Sequence, residues 1–331
     1  MADTPAQNAA NDADSGQAPK KHGGYERLLR AAEAAGAVRM AVVHPCSAEA
    51  LEAALDAHTQ GLIEPVLVGP EARIRALAAE HGFDLGGIEI VATEHSHASA
   101  STAVELARAG RVAALMKGSL HTDELLHAVL DKETGLRTER RVSHVFVLDV
   151  PNYPRPLLIT DAAVNIAPTL DEKRDIVQNA IDLAHGIGIA DPRVAILSAV
   201  ETVNAQIPST IDAAALCKMA DRGQITGGRL DGPLAFDNAI SPEAAQTKGI
   251  HSEVAGCADI LVVPDLESGN MLVKQLTFLA GADSAGIVLG ARVPIVLASR
   301  ADSVRNRLAS VALGVLLTHR RLRSQETSRL D

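Results

Sequence analysis

The sequence predicts an α/β protein whose mainly parallel sheets are flanked by helices. Apolar residues make up 47% of the chain but aromatic residues only 2%, so Ala, Val, Leu and Ile must build the core. That composition suits buried parallel strands covered by alanine-rich helices. Short β-type runs also alternate with helical patterns of about ten residues, which indicates successive βαβ units. With 331 residues the chain is long enough for two domains.

The first half of the chain alternates regularly after an opening helix. Each predicted strand is an aliphatic run that ends at a turn signal, and each predicted helix carries apolar residues three or four positions apart. The predicted helices are 25–35, 48–60, 70–81, 99–109 and 122–130, and the predicted strands are 38–43, 65–69, 88–92 and 113–116.

The rhythm changes near residue 150. Two apolar runs flank the turn-rich segment 150–155 and predict a hairpin, after which strands and helices alternate again. The predicted strands are 143–149, 156–160, 194–197, 228–230, 260–263, 285–289 and 294–298, and the predicted helices are 171–186, 209–222, 241–248, 271–279 and 303–317.

The change of rhythm predicts a domain boundary. The last helix has no neighbour in sequence to cover its apolar face, so we expect it to return to the first domain. The expected organisation is a disordered tail at 1–20, a discontinuous first domain at 21–150 plus 290–331, and a second domain at 151–289.

Charge, cysteine usage and hydropathy argue against a nucleic-acid-binding, disulfide-rich, secreted or membrane protein. The net charge of −10 argues against a nucleic-acid partner, because phosphate backbones require clustered Lys and Arg. Cys46, Cys217 and Cys257 lie far apart in sequence and do not have the spacing of metal ligands. This pattern fits a protein of a reducing compartment with no disulfide framework. The sequence has no signal-peptide core and no apolar run of membrane-span length. We therefore expect a cytoplasmic protein with no membrane partner.

The most informative segment, PDLESGNMLVK, follows a predicted strand at the end where open α/β sheets bind ligands. Pro264 ends the strand because it has no backbone N–H, and Gly269 allows a close backbone approach. Glu267, Asn270 and Lys274 are candidate ligand-binding residues. An acidic residue in a first helical turn is also favourable with the helix dipole, so a structural role stays open.

Lys117, Gly118 and Ser119 follow another predicted strand. Gly118 and the next backbone amides could approach a phosphate, with Lys117 supplying charge. The alternative is an ordinary turn with a solvated lysine.

Thr160, Asp161 and Asn165 also follow a strand. Asp161 could cap the next segment, while Thr160 and Asn165 could contact a ligand.

Ser299, Arg300 and Asp302 end the last predicted strand. Arg offers a planar fork of donors that suits a phosphate, and Ser adds a hydroxyl. Asp302 could take a proton or cap the helix that follows. The histidines form no metal-binding pattern and the cysteines have no evident activating partner, so we expect no metal site.

Together these segments resemble the phosphate acetyl/butyryltransferase family. The resemblance runs in order through residues 25–320. It is carried by the run 42–70, KGSLHTDELL (117–126), ITDAAVNIAPTLDEK (159–173), LSAVETVNAQIPSTIDAAAL (197–216), GPLAFDNAIS (232–241), PDLESGNMLVK (264–274) and SRADS (299–303).

This resemblance implies a two-domain fold of the isocitrate/isopropylmalate dehydrogenase type, an interdomain cleft and a homodimer. It also implies reversible transfer of an acyl group between coenzyme A and phosphate, both substrates, with no cofactor and a pathway link to an acetate or butyrate kinase. The acyl group is acetyl, with butyryl as the alternative. An oxidoreductase and a non-catalytic CoA-binding protein on the same fold are competing interpretations.

The resemblance also implies roles at the end of the last strand. Arg300 would grip the phosphoryl group, and Ser299 would bond the reacting centre. Asp302 is the only nearby acid for the general base, although its spacing departs from that of acetyltransferase members. Some members carry a further phosphate-binding arginine in the helix after the KG loop, and this chain has none there.

Overall fold

The computed structural model describes residues 23–297 and 302–327. The predicted tail at 1–20 lies outside these residues, and so do Ser299 and Arg300. None of the described helices is long and apolar enough to span a membrane.

Helices and strands alternate along most of the described chain. The helices are α1 (Gly24–Ala35), α2 (Ala48–Thr59), α3 (Glu71–His81), α4 (Ser96–Arg108), α5 (Thr122–Leu130), α6 (Leu170–Gly186), α7 (Pro208–Asp221), α8 (Phe236–Ile240), α9 (Pro242–Thr247), α10 (Leu266–Phe278) and α11 (Val304–Thr327). The strands are β1 (Val38–Val43), β2 (Ile63–Gly69), β3 (Glu89–Ala92), β4 (Ala114–Lys117), β5 (Ser143–Asp149), β6 (Leu157–Thr160), β7 (Arg193–Leu197), β8 (Arg229–Leu234), β9 (Ile260–Val262), β10 (Asp283–Leu289) and β11 (Ile295–Val296).

The strands form one continuous sheet in the order β3-β2-β1-β4-β11-β10-β5-β6-β9-β7-β8. The first block, β3-β2-β1-β4-β11, is parallel throughout, and so is the second block, β6-β9-β7-β8. Between the blocks, β10 and β5 make antiparallel pairs with each other and with β11 and β6. The α/β class with mainly parallel strands is confirmed, as is the β5–β6 hairpin. The domain boundaries stay a prediction.

The last helix packs on both blocks of the sheet. Leu308 and Val311 share a core with Met40 of β1. Leu313 and Leu317, on another face of α11, pack in the core that contains β6, β7 and β9. The helix thus covers the first block, as the sequence predicted, and also the second.

Several element boundaries differ from prediction because side chains cap the helices. Helix α4 begins at Ser96, three residues early, because His95 Nδ1 accepts a hydrogen bond from Ala98 N. Helix α10 begins at Leu266 because Asp265 accepts one from Ser268 N, so Gly269 lies within the helix. The short helix α8 has no counterpart in the prediction.

Candidate active site

Two cavities meet at the loop that follows β4. The cleft cavity, about 340 Å³, is lined by Lys117 and Asp302, by His144 and Phe146 on β5, and by residues that follow β6 and β11. The β1 cavity, about 440 Å³, lies on the other side of Lys117 and contains residues that follow β1 and β4. Lys117 borders both, so the loop at 117–120 forms their common wall.

The loop at Lys117 is fixed to the end of β1. Gly118 N donates to Val43 O and Ser119 N to His44 O, each at 2.9 Å. A Cβ added to Gly118 would lie only 2.5 Å from Val43 O, so only glycine fits this approach. These two amides therefore already donate to the carbonyls of Val43 and His44, and phosphate binding by this loop stays a prediction.

The side chains of this loop are also held from within. The Ser119 hydroxyl donates to His44 O at 2.8 Å and accepts from Cys46 N at 3.1 Å. The Lys117 ammonium donates to Gly118 O and Leu120 O, each at 3.2 Å. The backbone carbonyls of the loop thus hold the ammonium of Lys117, which places a positive charge between the two cavities.

The turn after β6 is an internal hydrogen-bond network. Asp161 accepts from the backbone amides of Ala163, Val164 and Asn165 at 3.0 to 3.2 Å. Thr160 Oγ1 donates to His144 O at 2.9 Å. The capping alternative therefore describes Asp161 in this structure.

Asn165 joins that turn to the start of β5. Its amide donates to Val142 O at 2.9 Å and to the Asp161 carboxylate at 2.5 Å, while its oxygen accepts from Arg141 Nε at 2.7 Å. Thr160, Asp161 and Asn165 are all buried. None of the three lines the cleft cavity, whereas Ala163 of the same turn does, and direct contact of Thr160 or Asn165 with a ligand stays a prediction.

The start of α10 braces the same turn. A Cβ added to Gly269 would lie 3.0 Å from Asp161 O, which confirms the predicted close approach. Asn270 Nδ2 donates to Ala162 O at 3.2 Å. Glu267 and Lys274 are exposed and line neither cavity. Their predicted ligand contacts find no support in this geometry.

Asp302 is the described member of the predicted catalytic set. It is half-buried and lines the cleft cavity. Leu297 and Asp302, the described residues on either side of Ser299 and Arg300 in sequence, both line this cavity.

His144 was missed by the sequence analysis. It lies on β5 with 1% exposure and lines the cleft cavity. Its Nδ1 has no hydrogen-bond partner among the described residues. Burial lowers the pKa of His144 to about 4, against the opposing effect of the nearby Asp161 charge. The available signal was a histidine beside the apolar run 145–148 of a predicted strand, where a buried polar side chain calls for an explanation.

The β1 cavity carries three cationic side chains, Arg73, Lys117 and Arg307, against two acidic ones, Glu49 and Glu124. Arg307 donates to Glu49 O at 3.0 Å, and Arg73 donates to Cys46 O at 3.4 Å. Arg73 and Arg307 were not predicted from the sequence, because they come from α3 and α11, which no local motif connects.

Cys46 and Cys217 have raised rather than lowered pKa values. Burial raises the pKa of Cys46, and it raises that of Cys217 to about 12. A thiol in that state is a poor nucleophile, which favours the structural interpretation of both. Among residues 23–297 and 302–327, no group of three His, Cys, Asp or Glu is placed to hold a metal ion.

Comparison with known proteins relates the chain to acyl-transferring enzymes. Residues 92–315 match the family described as phosphate acetyl/butaryl transferase. A phosphate acetyltransferase of Rhizobium meliloti is 64% identical over 307 residues, which cover 93% of this chain and 97% of that protein. A phosphate butyryltransferase of Clostridium acetobutylicum is 46% identical over 267 residues, which cover 81% of this chain and 89% of that protein. The crystal structure of a branched-chain phosphotransacylase from Enterococcus faecalis V583 has 30% identity and a TM-score of 0.75, covering 85% of this chain and 99% of that one.

Proposed function

This chain belongs to the phosphate acetyl/butyryltransferase family, and we propose that its cleft cavity is where the acyl group is transferred. The reaction is the reversible conversion of acetyl-CoA and phosphate into acetyl phosphate and CoA. The observation that carries this function is the 64% identity to a phosphate acetyltransferase across nearly the whole of both chains. Butyryl transfer is the less supported alternative, since the butyryltransferase relative is 46% identical over a shorter span.

The transfer proceeds by direct attack in a ternary complex. A thiol of ordinary pKa near ~8.5 must lose its proton before it attacks. In our proposal the Asp302 carboxylate takes the proton from CoA, and the thiolate adds to the carbonyl carbon of acetyl phosphate. The carbon–oxygen bond to phosphate then breaks, which releases phosphate and leaves acetyl-CoA. No protein nucleophile is needed, in line with the raised pKa of Cys46.

Charge stabilisation in this proposal comes from Lys117 and Arg300. The ammonium of Lys117 borders the cleft cavity and favours the dianionic phosphate there. Arg300 grips the phosphoryl group and Ser299 bonds the reacting centre, as the family resemblance implies. Both of these roles are proposals for residues outside the described ranges.

The β1 cavity is our proposed place for the phosphates of coenzyme A. CoA carries a pyrophosphate and a ribose phosphate, and three cationic side chains meet in this cavity. Because Lys117 borders both cavities, a CoA held there could present its thiol to the cleft cavity. The predicted homodimer, cytoplasmic location, lack of a cofactor and link to an acetate or butyrate kinase complete the proposal.

A thiol-release assay tests the proposal directly. The chain is mixed with acetyl-, propionyl- or butyryl-CoA, with and without inorganic phosphate, and free CoA is titrated. We expect release that requires phosphate and is fastest with acetyl-CoA. Release at the same rate without phosphate would contradict the reaction, and a higher kcat/KM with butyryl-CoA would contradict the acyl preference.

One variant tests the role of Arg300, and two further measurements separate the competing interpretations. Arg300→Ala should greatly lower phosphate-dependent release, and unchanged kinetics would remove its assigned role. Reduction of NAD(P) by a 2-hydroxy acid would support the oxidoreductase, whereas binding of acetyl-CoA without any release would support a non-catalytic CoA-binding protein.

A further inference from the structure

His144 is a buried polar group that the protein itself leaves unsatisfied. Its Nδ1 has no hydrogen-bond partner among residues 23–297 and 302–327, and His144 is only 1% exposed to solvent. A buried donor or acceptor that lacks a hydrogen-bond partner destabilises the folded chain, so an apolar residue of similar size here would stabilise it. A position that keeps such a group calls for a partner that arrives from outside.

The packing around His144 is built for an imidazole ring. The ring makes an edge contact with Phe146 at 4.4 Å between centroids. On β10, a Cβ added to Gly286 would come within 2.8 Å of Nε2, so the ring lies directly against the strand backbone. The backbone oxygen of His144 is fixed by Thr160 Oγ1 at 2.9 Å. The ring therefore has a set place at the wall of the cleft cavity.

The charges around the ring determine what it can bind. Lys117 and Asp302 line the same cavity, and Asp161 lies at the end of the neighbouring strand β6. Burial lowers the pKa of His144 to about 4, so the ring is neutral at physiological pH and one of its nitrogens carries a proton. An acyl phosphate offers only acceptor oxygens, which match a neutral donor beside the cationic Lys117.

We propose that His144 is a catalytic residue whose Nδ1–H donates a hydrogen bond to an oxygen of the acyl phosphate in the cleft cavity. A 180° turn about χ2 exchanges Nδ1 and Cδ2 while the ring keeps its place against Phe146 and β10, so either edge of the ring can carry the nitrogen. In a water-excluded site such a donor orients the acyl phosphate and stabilises charge on its oxygens. This inference rests on the proposed phosphate acyltransferase activity for its chemistry.

Three substitutions test the role by activity. His144→Leu removes both ring nitrogens at similar size, while His144→Asn keeps an N–H close to the position of Nδ1. We expect His144→Leu to lower kcat/KM for phosphate-dependent CoA release by about tenfold to a hundredfold, the loss of one hydrogen bond in the reacting complex. We expect His144→Asn to recover most of that loss. His319→Leu is the matched control, because His319 Nε2 already has a hydrogen-bond partner in Gly36 O at 2.9 Å and lines neither cavity.

The stability readout separates catalysis from structure. His144→Leu should keep or raise the unfolding midpoint while activity falls, whereas His319→Leu should lower the midpoint and keep activity. Equal activity of His144→Leu and the parent chain would overturn the proposal. A loss of activity in His144→Leu that follows a loss of stability, with no recovery in His144→Asn, would overturn it as well.

A binding measurement is independent of turnover. In imidazole ¹⁵N spectra of the full chain, the His144 signals are assigned by their loss in His144→Asn, and acetyl phosphate or inorganic phosphate is then added. A shift of the His144 nitrogens on saturation supports the contact even if the chain releases no CoA, in which case only the proposed activity fails. Unmoved His144 signals, with phosphate bound elsewhere, would overturn the contact even in an active enzyme.

Discussion

Gly118→Ala is the sharpest test of how the fold positions the site. In the structure an added Cβ would lie 2.5 Å from Val43 O and 2.6 Å from His44 O. Real Cβ atoms essentially never come closer than 3.0 Å, so one partner must move by about 0.5 Å. Both neighbours are backbone atoms, one at the last residue of the parallel strand β1 and one just after it, and they cannot rotate away as the tip of a side chain could.

We expect this displacement to lower both the unfolding midpoint and kcat/KM. Overpacking of this kind costs about 1–3 kcal/mol, which for a chain of this length corresponds to a fall of roughly 1–4 °C in the unfolding midpoint. The bond from Gly118 N to Val43 O is lost or lengthened, and Lys117, which donates to Gly118 O, moves with the loop. Since small misplacements at a reacting centre cost up to about a hundredfold, we expect kcat/KM to fall about tenfold or more.

The assay combines thermal unfolding with phosphate-dependent CoA release. The matched control is Gly86→Ala, where an added Cβ meets only the exposed Asp84 side chain at 3.1 Å, so the expected change stays within about 0.5 kcal/mol. If Gly118→Ala matched Gly86→Ala in both midpoint and kcat/KM, the reasoning from the close approach would be refuted.

Substitutions at three further positions address separate parts of the site. Lys117→Met removes the cation between the cavities and should raise KM for phosphate about tenfold, with Lys117→Arg partly active; an unchanged KM would exclude Lys117 from anion binding. Asp302→Asn should lower kcat by about a hundredfold or more with little change in KM, and an unchanged kcat would place the base elsewhere. Asp161→Asn should lower the free energy of unfolding by about 1–3 kcal/mol in urea titrations, because an amide has one acceptor oxygen where three backbone amides and the Asn165 side chain now donate; an unaltered midpoint would contradict that accounting.

Much of the fold was predictable because it follows local periodicity. The strand at 38–43 and the helix at 122–130 match their predicted bounds. Helix starts were less predictable, since they depend on caps such as His95 that only the finished geometry identifies. The extra length of α11, which runs to Thr327, also has no local signal, because its stability comes from packing on both blocks of the sheet.

The sequence predicted which polar residues lie near the candidate site better than it predicted what each of them contacts. Polar residues at strand ends include Lys117 and Asp302, and the structure places both in the lining of one cavity. The same rule also selected Asp161 and Asn165, which the structure engages in an internal network. A strand-end position tells which edge of the sheet a side chain occupies, but not whether its polar atoms already have partners.

The sequence by itself determined the α/β class, the order of the elements and the family, since these depend on local patterns and long ordered segments. Only the tertiary structure decided which residues share a cavity. His144, Lys117 and Asp302 are contributed by separate elements, and the antiparallel strands β10 and β5 between the two blocks bring them together. The physical reason is that burial, hydrogen-bond satisfaction and pKa are set by neighbours distant in sequence. The sequence shows a histidine in a predicted strand, but only the structure shows that its Nδ1 has no hydrogen-bond partner among the described residues.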